Sequence, residues 1–312
     1  MGILDFLRSA ETSHGGVVLA LGGGGARGLA HLGVLEVMEE AGIRVAGIAG
    51  TSAGAIVGAM WVTRGDVAAV KVRWREFLAA GFAPDLPDVR LTSSITSRDN
   101  LLLQFARRLR RTAMVALALE RTSLISHEEF EKGLSFLLDD QPIDRLSVPF
   151  AAVATDFQTG EAYMVRSGSL VRGVAASSAM PGVLLPYTID GHALIDGGTV
   201  ADVPLAEARK LVHRPVVAVD VGETWPHEDP GGITLPRAML RGSTMTHTAL
   251  RRLQLADAQL VIAPSVGGLH WSEFARLEEA VAAGRAAAER AVHRMRALAQ
   301  RRAPEEKESV PS

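Results

Sequence analysis

A serine framed by small residues is the first candidate for chemistry in this sequence. The segment GTSAG at 50–54 fits the pattern G-x-S-x-G, which exposes a serine as a nucleophile when it forms a sharp turn between a strand and a helix. The apolar run just before it predicts the strand, and the Ala-rich run just after it predicts the helix. The sequence therefore predicts a nucleophile elbow at Ser52, with Gly50 and Gly54 at its ends. A purely structural turn is the alternative.

A glycine-rich loop lies one predicted strand and one predicted helix earlier in the chain. The segment GGGARG at 23–28 satisfies G-x-G-x-x-G, a pattern that also binds dinucleotides at such a position. However, the next predicted strand carries no acid to bind a ribose, and no Lys-Ser/Thr pair follows the glycines, which excludes a Walker A loop. A regulatory protein that binds a nucleotide with this loop remains the alternative to a protein with a nucleophilic serine.

The same loop is suited to stabilising an oxyanion. A nucleophilic serine needs hydrogen-bond donors aimed at the charge that develops on the attacked carbonyl oxygen. Backbone N–H groups of Gly23–Gly28 can converge on such a charge, and Gly24, Gly25 and Ala26 are the foremost candidates. Arg27 either holds the loop, counters negative charge or forms a structural salt bridge.

The base that would activate Ser52 cannot be selected by pattern among the histidines. None of them lies in a distinctive turn motif, and His31 is predicted on the polar side of the first helix, in a surface or capping role. Asp196 is more distinctive because it ends the apolar run HALI and is followed by Gly197 and Gly198. A carboxylate in that position can enter a cleft without blocking it, and a structural Asp-Gly-Gly turn is the alternative.

Strand-like and helical runs alternate along the chain, which predicts an α/β fold with a mainly parallel sheet and helices on its faces. A long C-terminal helix is predicted at 273–300, with an apolar stripe suited to docking on the core. Residues 81–141 are predicted to form a helical insertion, and 301–312 a disordered tail. Strands are predicted at 17–21, 45–49, 148–155, 161–166, 193–195, 216–221 and 258–263.

The insertion contains a basic cluster, Arg107–Arg111, beside apolar runs. Its helices either pack on the core with a solvated arginine face, or form a membrane-facing lid whose arginines meet anionic headgroups. The whole chain has 33 Lys and Arg against 35 Asp and Glu. Because no global attraction to an anionic membrane follows from that balance, any approach to lipid must depend on local features such as this cluster.

Composition excludes several classes of protein. The chain has no cysteine, so disulfide frameworks, zinc ribbons and thiolate nucleophiles are ruled out. Its near-neutral charge and its 5% of aromatic residues argue against a nucleic-acid partner. Neither a metal cluster nor a cofactor motif is evident, so no cofactor is expected. Without a signal peptide or a long apolar stretch, we expect a cytoplasmic protein with peripheral contact at the inner membrane.

Taken in order, the motifs resemble the patatin-like phospholipase family, especially its small bacterial members. The resemblance covers most of 15–300: GGGARG matches the family's oxyanion loop, GTSAG its nucleophile elbow, and DGG at 196–198 its catalytic aspartate motif. The segments ATDFQTGE at 154–161 and ASSAMPGVLLP at 176–186 resemble further parts of the family. The resemblance implies one domain with a three-layer α/β/α fold.

The resemblance also implies a Ser-Asp dyad, here Ser52 and Asp196, that cleaves acyl esters of lipids through an acyl-enzyme. One departure is visible, because the family commonly has Asn before Pro after its DGG motif, whereas this chain has Asp202-Val203-Pro204. Asp202 is expected in a structural turn, where it leaves a second carboxylate near Asp196 as a candidate acid. A scaffold protein without catalysis, acting through its C-terminal helix, is a third hypothesis.

Overall fold

The structure, a computed structural model, describes residues 15–82, 125–222 and 235–301. Within these ranges eight strands form one sheet: β1 (Val17–Leu21), β2 (Val45–Thr51), β3 (Phe150–Asp156), β4 (Ala162–Val165), β5 (Tyr187–Ile189), β6 (His192–Asp196), β7 (Val216–Val219) and β8 (Leu260–Ile262). Successive neighbours along the path β5-β6-β3-β2-β1-β7-β8 are hydrogen-bonded to each other, and β4 also pairs with β3. The pairs from β3 through β2, β1 and β7 to β8 are parallel, whereas β4 and β6 run antiparallel to β3.

Eight α-helices accompany the sheet in the described ranges. They are α1 (Ala30–Glu40), α2 (Ala53–Arg64), α3 (Val67–Ala79), α4 (His127–Leu137), α5 (Leu170–Ser177), α6 (Leu205–Leu211), α7 (Leu235–Leu255) and α8 (Leu277–Ala299). Short 3-10 turns at Gly25–Leu29 and Gly197–Thr199 follow β1 and β6, and both of these turns belong to predicted motifs.

Alternate side chains of β1 enter two different cores. Val17, Leu19 and Leu21 pack in the larger cluster, which includes residues of α1, α2 and α8. Val18 and Ala20 pack in a second cluster with residues of α6. Because successive residues of a strand point to opposite faces of the sheet, these clusters lie on its two sides. The predicted α/β fold, with helices on both faces of a mainly parallel sheet, is confirmed.

The seven predicted strands are present with small differences at their ends, and β5 is an additional strand. It has only three residues, too few for a pattern of alternation to reveal. Its hairpin partner β6 follows after Asp190 and Gly191, whose φ angles are 51° and 82°. A two-residue hairpin loop of this type requires positive φ at both positions, so the Asp-Gly dipeptide is the sequence signal for this hairpin.

The C-terminal helix α8 packs on α1, as the apolar stripe predicts. The two helix backbones approach closely, since a Cβ at Gly284 would overlap the carbonyl oxygen of Ala30 and one at Gly33 would overlap that of Val281. Glycine at both positions makes this contact possible. α8 is therefore part of the core of the described structure.

The predicted insertion is described only at 81–82 and 125–141, where α4 forms. This helix begins with a capping box, in which the Glu129 N–H donates to Ser126 Oγ and the Ser126 N–H donates to Glu129 Oε2, both at 3.2 Å. The arginine cluster of the insertion and residues 302–312 lie outside the described residues. None of the helices described here is both long and apolar enough to cross a membrane.

Candidate active site

The register of three strands brings Ser52 and Asp196 together. In the parallel pair of β2 and β3, Thr51 lies opposite Val153; in the antiparallel pair of β3 and β6, Asp196 lies opposite Ala154. β4 pairs with residues 152–155 of β3, a stretch that overlaps both the part of β3 paired with β2 and the part paired with β6. β4 therefore occupies one edge of β3, and β2 and β6 must share the opposite edge. Their carboxyl ends therefore meet head-on, and the residues at those ends become neighbours.

Ser52 occupies the strained turn that the elbow motif predicts. Its φ of 51° and ψ of −117° lie in a region that residues other than glycine rarely adopt, and α2 begins at the next residue. Its N–H donates to Ser177 Oγ at 3.0 Å, and the Ser177 hydroxyl donates to the Val153 carbonyl at 2.6 Å. Ser177 thus ties the elbow to β3, a role for which the sequence carries no distinctive signal.

Glycines allow backbones to approach closely around this turn. A Cβ at Gly54 would overlap the Leu21 carbonyl oxygen, and one at Gly50 would lie 2.6 Å from backbone atoms in the first turn of α2. After β6, a Cβ at Gly197 would overlap the Val153 carbonyl oxygen. Glycines in both motifs therefore meet a steric requirement of the site.

The Asp196 carboxylate faces Ser52 and is buried, with 7% of the residue exposed. The Ser52 hydroxyl lies close enough to lower the pKa of this carboxylate, and Asp196 Oδ1 accepts a hydrogen bond from the Gly198 N–H at 2.7 Å. Burial raises the pKa of Asp196 from 3.8 to about 6, against the opposing effects of the Gly198 N–H and the Ser52 hydroxyl. The charge of Asp202 adds to the rise.

The glycine loop retains two backbone donors for a ligand. The Ala26 N–H, a predicted oxyanion donor, instead donates to the Trp271 carbonyl at 2.7 Å. Of the foremost candidates, Gly24 and Gly25 then remain, since no acceptor for their N–H groups is found in the described ranges. Arg27 Nε donates to the Gly24 carbonyl at 3.3 Å, so Arg27 holds the loop, as one interpretation of the sequence has it.

The loop lies directly against the serine turn. A Cβ at Gly28 would be 2.5 Å from the Cβ of Ala53, and one at Gly23 would be 3.5 Å from the Cβ of Ser52. A larger residue at position 28 would push the loop away from the elbow, whereas a Cβ at position 23 would be in ordinary van der Waals contact with Ser52. The two predicted motifs are thus parts of one site.

His31 is fully buried, so its predicted surface or capping role is wrong. Its Nε2 lies 2.8 Å from the Gly22 carbonyl oxygen, to which it donates as the neutral ring. Burial lowers the pKa of His31 to about 4, which keeps the ring uncharged at neutral pH. His31 therefore fixes the start of the glycine loop, because the first turn of α1 lies beneath the loop and not at the surface.

Asp202, the second candidate acid, is turned toward a different partner. Its Oδ2 is 3.1 Å from Nη1 of Arg251, while its backbone carbonyl accepts the Gly23 N–H at 2.9 Å. Ser52 acts on the pKa of Asp196 and is not among the groups that act on that of Asp202. The turn that contains Asp202 forms as expected and borders the glycine loop.

The two further family segments support the ends of β3 and β6. In 176–186, the Ala179 carbonyl accepts the Asp196 N–H at 2.9 Å. In 154–161, Asp156 closes the turn after β3 by accepting the Gln158 N–H at 2.8 Å and contacts Nδ1 of His192 at 2.5 Å. In the described ranges, no group of three or more His, Asp or Glu side chains is arranged to hold a metal ion.

The fold and the site together define an α/β protein with a serine–aspartate pair at the carboxyl edge of its sheet. A model of the patatin-like phospholipase family matches residues 19–209, and the chain belongs to this family. It is 32% identical over 221 residues to the mouse patatin-like phospholipase domain-containing protein 6. The matched segment covers 70% of this chain and 14% of that protein. It is also 32% identical over 200 residues to an uncharacterized NTE family protein of Mycobacterium bovis, over 64% of this chain and 47% of that protein.

A solved structure shares the fold. VipD from Legionella pneumophila superposes with a TM-score of 0.50 at 16% identity, over 91% of this chain and 67% of that one. At this identity the likeness concerns the fold alone. The chain spans only about one seventh of the length of the mouse relative. The match therefore does not show that this chain has the activity of the whole relative.

Proposed function

We propose that the chain is a serine hydrolase that cleaves acyl esters of lipids with Ser52 as nucleophile and Asp196 as base. The observation that carries this proposal is the position of Ser52, in a strained turn beside the buried carboxylate of Asp196, whose pKa is raised to about 6. A base with a pKa closer to the working pH accepts a proton more readily than an ordinary aspartate. Membership of the patatin-like phospholipase family supports lipid esters as the substrate class.

The proposed reaction has two halves. Asp196 takes the hydroxyl proton while Ser52 Oγ attacks the ester carbonyl, and the N–H groups of Gly24 and Gly25 stabilise the oxyanion. When the tetrahedral intermediate collapses, protonated Asp196 gives its proton to the leaving alcohol, and an acyl-enzyme remains. Water then attacks the acyl-enzyme with Asp196 again as base, which releases the fatty acid and restores Ser52.

Exposed apolar side chains in the segment that contacts Asp196 support a lipid substrate and peripheral contact with a lipid surface. Met180 and Leu185 are 41% and 42% exposed, and they lie in the segment 176–186 whose backbone holds Asp196. Hydrolysis of phosphatidylcholine vesicles should therefore exceed hydrolysis of the same ester dispersed in detergent. Replacing both side chains with Glu should reduce the activity on vesicles more than the activity on a soluble nitrophenyl ester.

Labelling with a fluorophosphonate tests the nucleophile. The wild type should be labelled and should hydrolyse nitrophenyl butyrate, whereas Ser52→Ala should do neither. Ser135→Ala, which removes an exposed hydroxyl on α4, is the matched control and should behave as wild type. Asp196→Asn should lose hydrolysis by about 10⁴-fold.

Two results would overturn the proposal. Folded Ser52→Ala and Asp196→Asn variants that keep full activity would exclude the dyad. Equilibrium binding of NAD or ATP by a chain that resists fluorophosphonate would instead favour the nucleotide-binding alternative.

A further inference from the structure

A buried cation lies between two carboxylates beside the glycine loop. Arg251 on α7 is 8% exposed; its Nη1 is 3.1 Å from Asp202 Oδ2, and its Nε is 3.3 Å from Asp220 Oδ1. The guanidinium fills the space next to Gly222, where a Cβ would overlap it. Two carboxylates held this close repel each other unless a cation separates them, so Arg251 keeps the two acids together.

Both acids belong to turns that hold the glycine loop. The Asp202 carbonyl accepts the Gly23 N–H at 2.9 Å, and the Val219 carbonyl, one residue before Asp220, accepts the Gly22 N–H at 3.0 Å. The loop is therefore bound on one side by the turn after β6 and on the other by the end of β7. Arg251 is the side chain that joins these two turns.

The helix that carries Arg251 makes a second contact with the same turn. Gln254 Nε2, almost one helical turn further along, donates to the Val200 carbonyl at 2.6 Å. The ion pair with Asp202 depends on the carboxylate at this position. The charged and titratable groups that act on Asp202 are Arg251, Asp220 and His247, two of them from α7.

We propose that Arg251 is a positioning residue of the catalytic site: by bridging Asp202 and Asp220 it fixes the two turns that hold the glycine loop against Ser52. The expected effect of Arg251 on kcat rests on the proposed function, whereas its expected effect on the glycine loop does not. Without the guanidinium, two partly buried carboxylates face each other, and their repulsion separates the turns. The loop donors then no longer converge on the developing oxyanion.

The experiment compares Arg251→Gln, Asp202→Asn/Arg251→Gln and Arg252→Gln. Amide hydrogen exchange of a peptide covering 22–28 reports the loop, and kcat and KM on nitrophenyl butyrate report the site. In Arg251→Gln the loop should exchange about tenfold faster, and kcat should fall by about 10- to 100-fold with little change in KM. The neighbouring exposed Arg252 is the matched control, and its variant should behave as wild type.

The double variant separates positioning from packing. Removing the charge of Asp202 relieves the repulsion, so Asp202→Asn/Arg251→Gln should recover most of the slow exchange and of kcat. A loop that exchanges at the wild-type rate in Arg251→Gln, or a double variant no better than the single one, would overturn the proposal.

Two further outcomes are also decisive. If the wild type hydrolyses no ester, the proposed function fails, and hydrogen exchange and its rescue still decide the role of Arg251. If Arg251→Gln does not fold, Arg251→Lys replaces it, because Lys keeps the charge but lacks the planar fork that spans both acids. Its loop should exchange faster than that of the wild type, and an unchanged rate would refute the bridge.

Discussion

Asp196→Asn should make the protein more stable at neutral pH while it abolishes the proposed activity. The substitution keeps an oxygen that can accept the Gly198 N–H and removes the charge. The carboxylate is buried, and burial raises its pKa from 3.8 to about 6. A raised carboxyl pKa means that the ionised form is less favourable in the folded protein than in the unfolded chain.

The magnitude follows from the same two pKa values. Each pKa unit corresponds to about 1.4 kcal/mol, so ionising Asp196 in the folded state costs about 3 kcal/mol of unfolding free energy above pH 6. The folded protein holds the proton of Asp196 more tightly than the unfolded chain does. The contribution of this group to the unfolding free energy is therefore fully present below about pH 4 and is lost as the pH rises through about 6. The advantage of the Asn variant should be largest at pH 8 and disappear near pH 4.

Urea unfolding of both proteins at pH 4, 5, 6, 7 and 8 measures this difference. Asp144→Asn, which removes an exposed carboxylate, is the control and should show no comparable change with pH. An Asp196→Asn variant that is less stable than wild type at pH 8, or whose difference does not change with pH, would refute the reasoning. Either result would mean that burial of the ionised Asp196 carboxylate does not lower the free energy of unfolding.

Three other substitutions test separate parts of the site. Ser52→Gly should be more stable than Ser52→Ala by about 1–3 kcal/mol, because glycine adopts a φ of 51° without strain; equal unfolding free energies would contradict a strained elbow. Gly54→Ala should lower Tm by about 5 °C or more, since its Cβ overlaps the carbonyl at the end of β1. Gly242→Ala, whose Cβ meets no described atom within 4 Å, should not lower Tm. Asp202→Asn removes a charge that raises the pKa of Asp196, so the acid limb of kcat/KM, expected near pH 6, should move to lower pH; no shift, or a shift upward, would exclude this coupling.

The motifs around the site could be read from the sequence because each is local. The serine elbow needs a strand, one sharp turn and a helix, all encoded within about 20 consecutive residues. The glycine loop and the Asp-Gly-Gly turn are similarly short, and each follows an apolar strand. Parallel strands place their carboxyl ends at one edge of a sheet, so an α/β pattern already predicts that Ser52 and the loop lie close together.

The supporting contacts could not be predicted because they join distant parts of the chain. Ser177, which accepts the Ser52 N–H, is 125 residues away in sequence. Arg251 lies on α7, which is not among the helices predicted from the sequence, and its partners are 49 and 31 residues earlier. His31 looks polar on an isolated helix, and only the loop folded over the start of α1 shows that it is buried.

Both members of the proposed dyad are fixed to the backbone of one strand. Thr51, next to Ser52, pairs with Val153, and Asp196 pairs with the following residue of β3, so sheet register sets their separation. All seven residues of β3 are buried, which anchors that register in the core. The strained serine and the buried carboxylate are both unfavourable by themselves, and this rigid strand is what holds them in place. We therefore expect that substitutions which loosen β3 reduce activity before they unfold the protein.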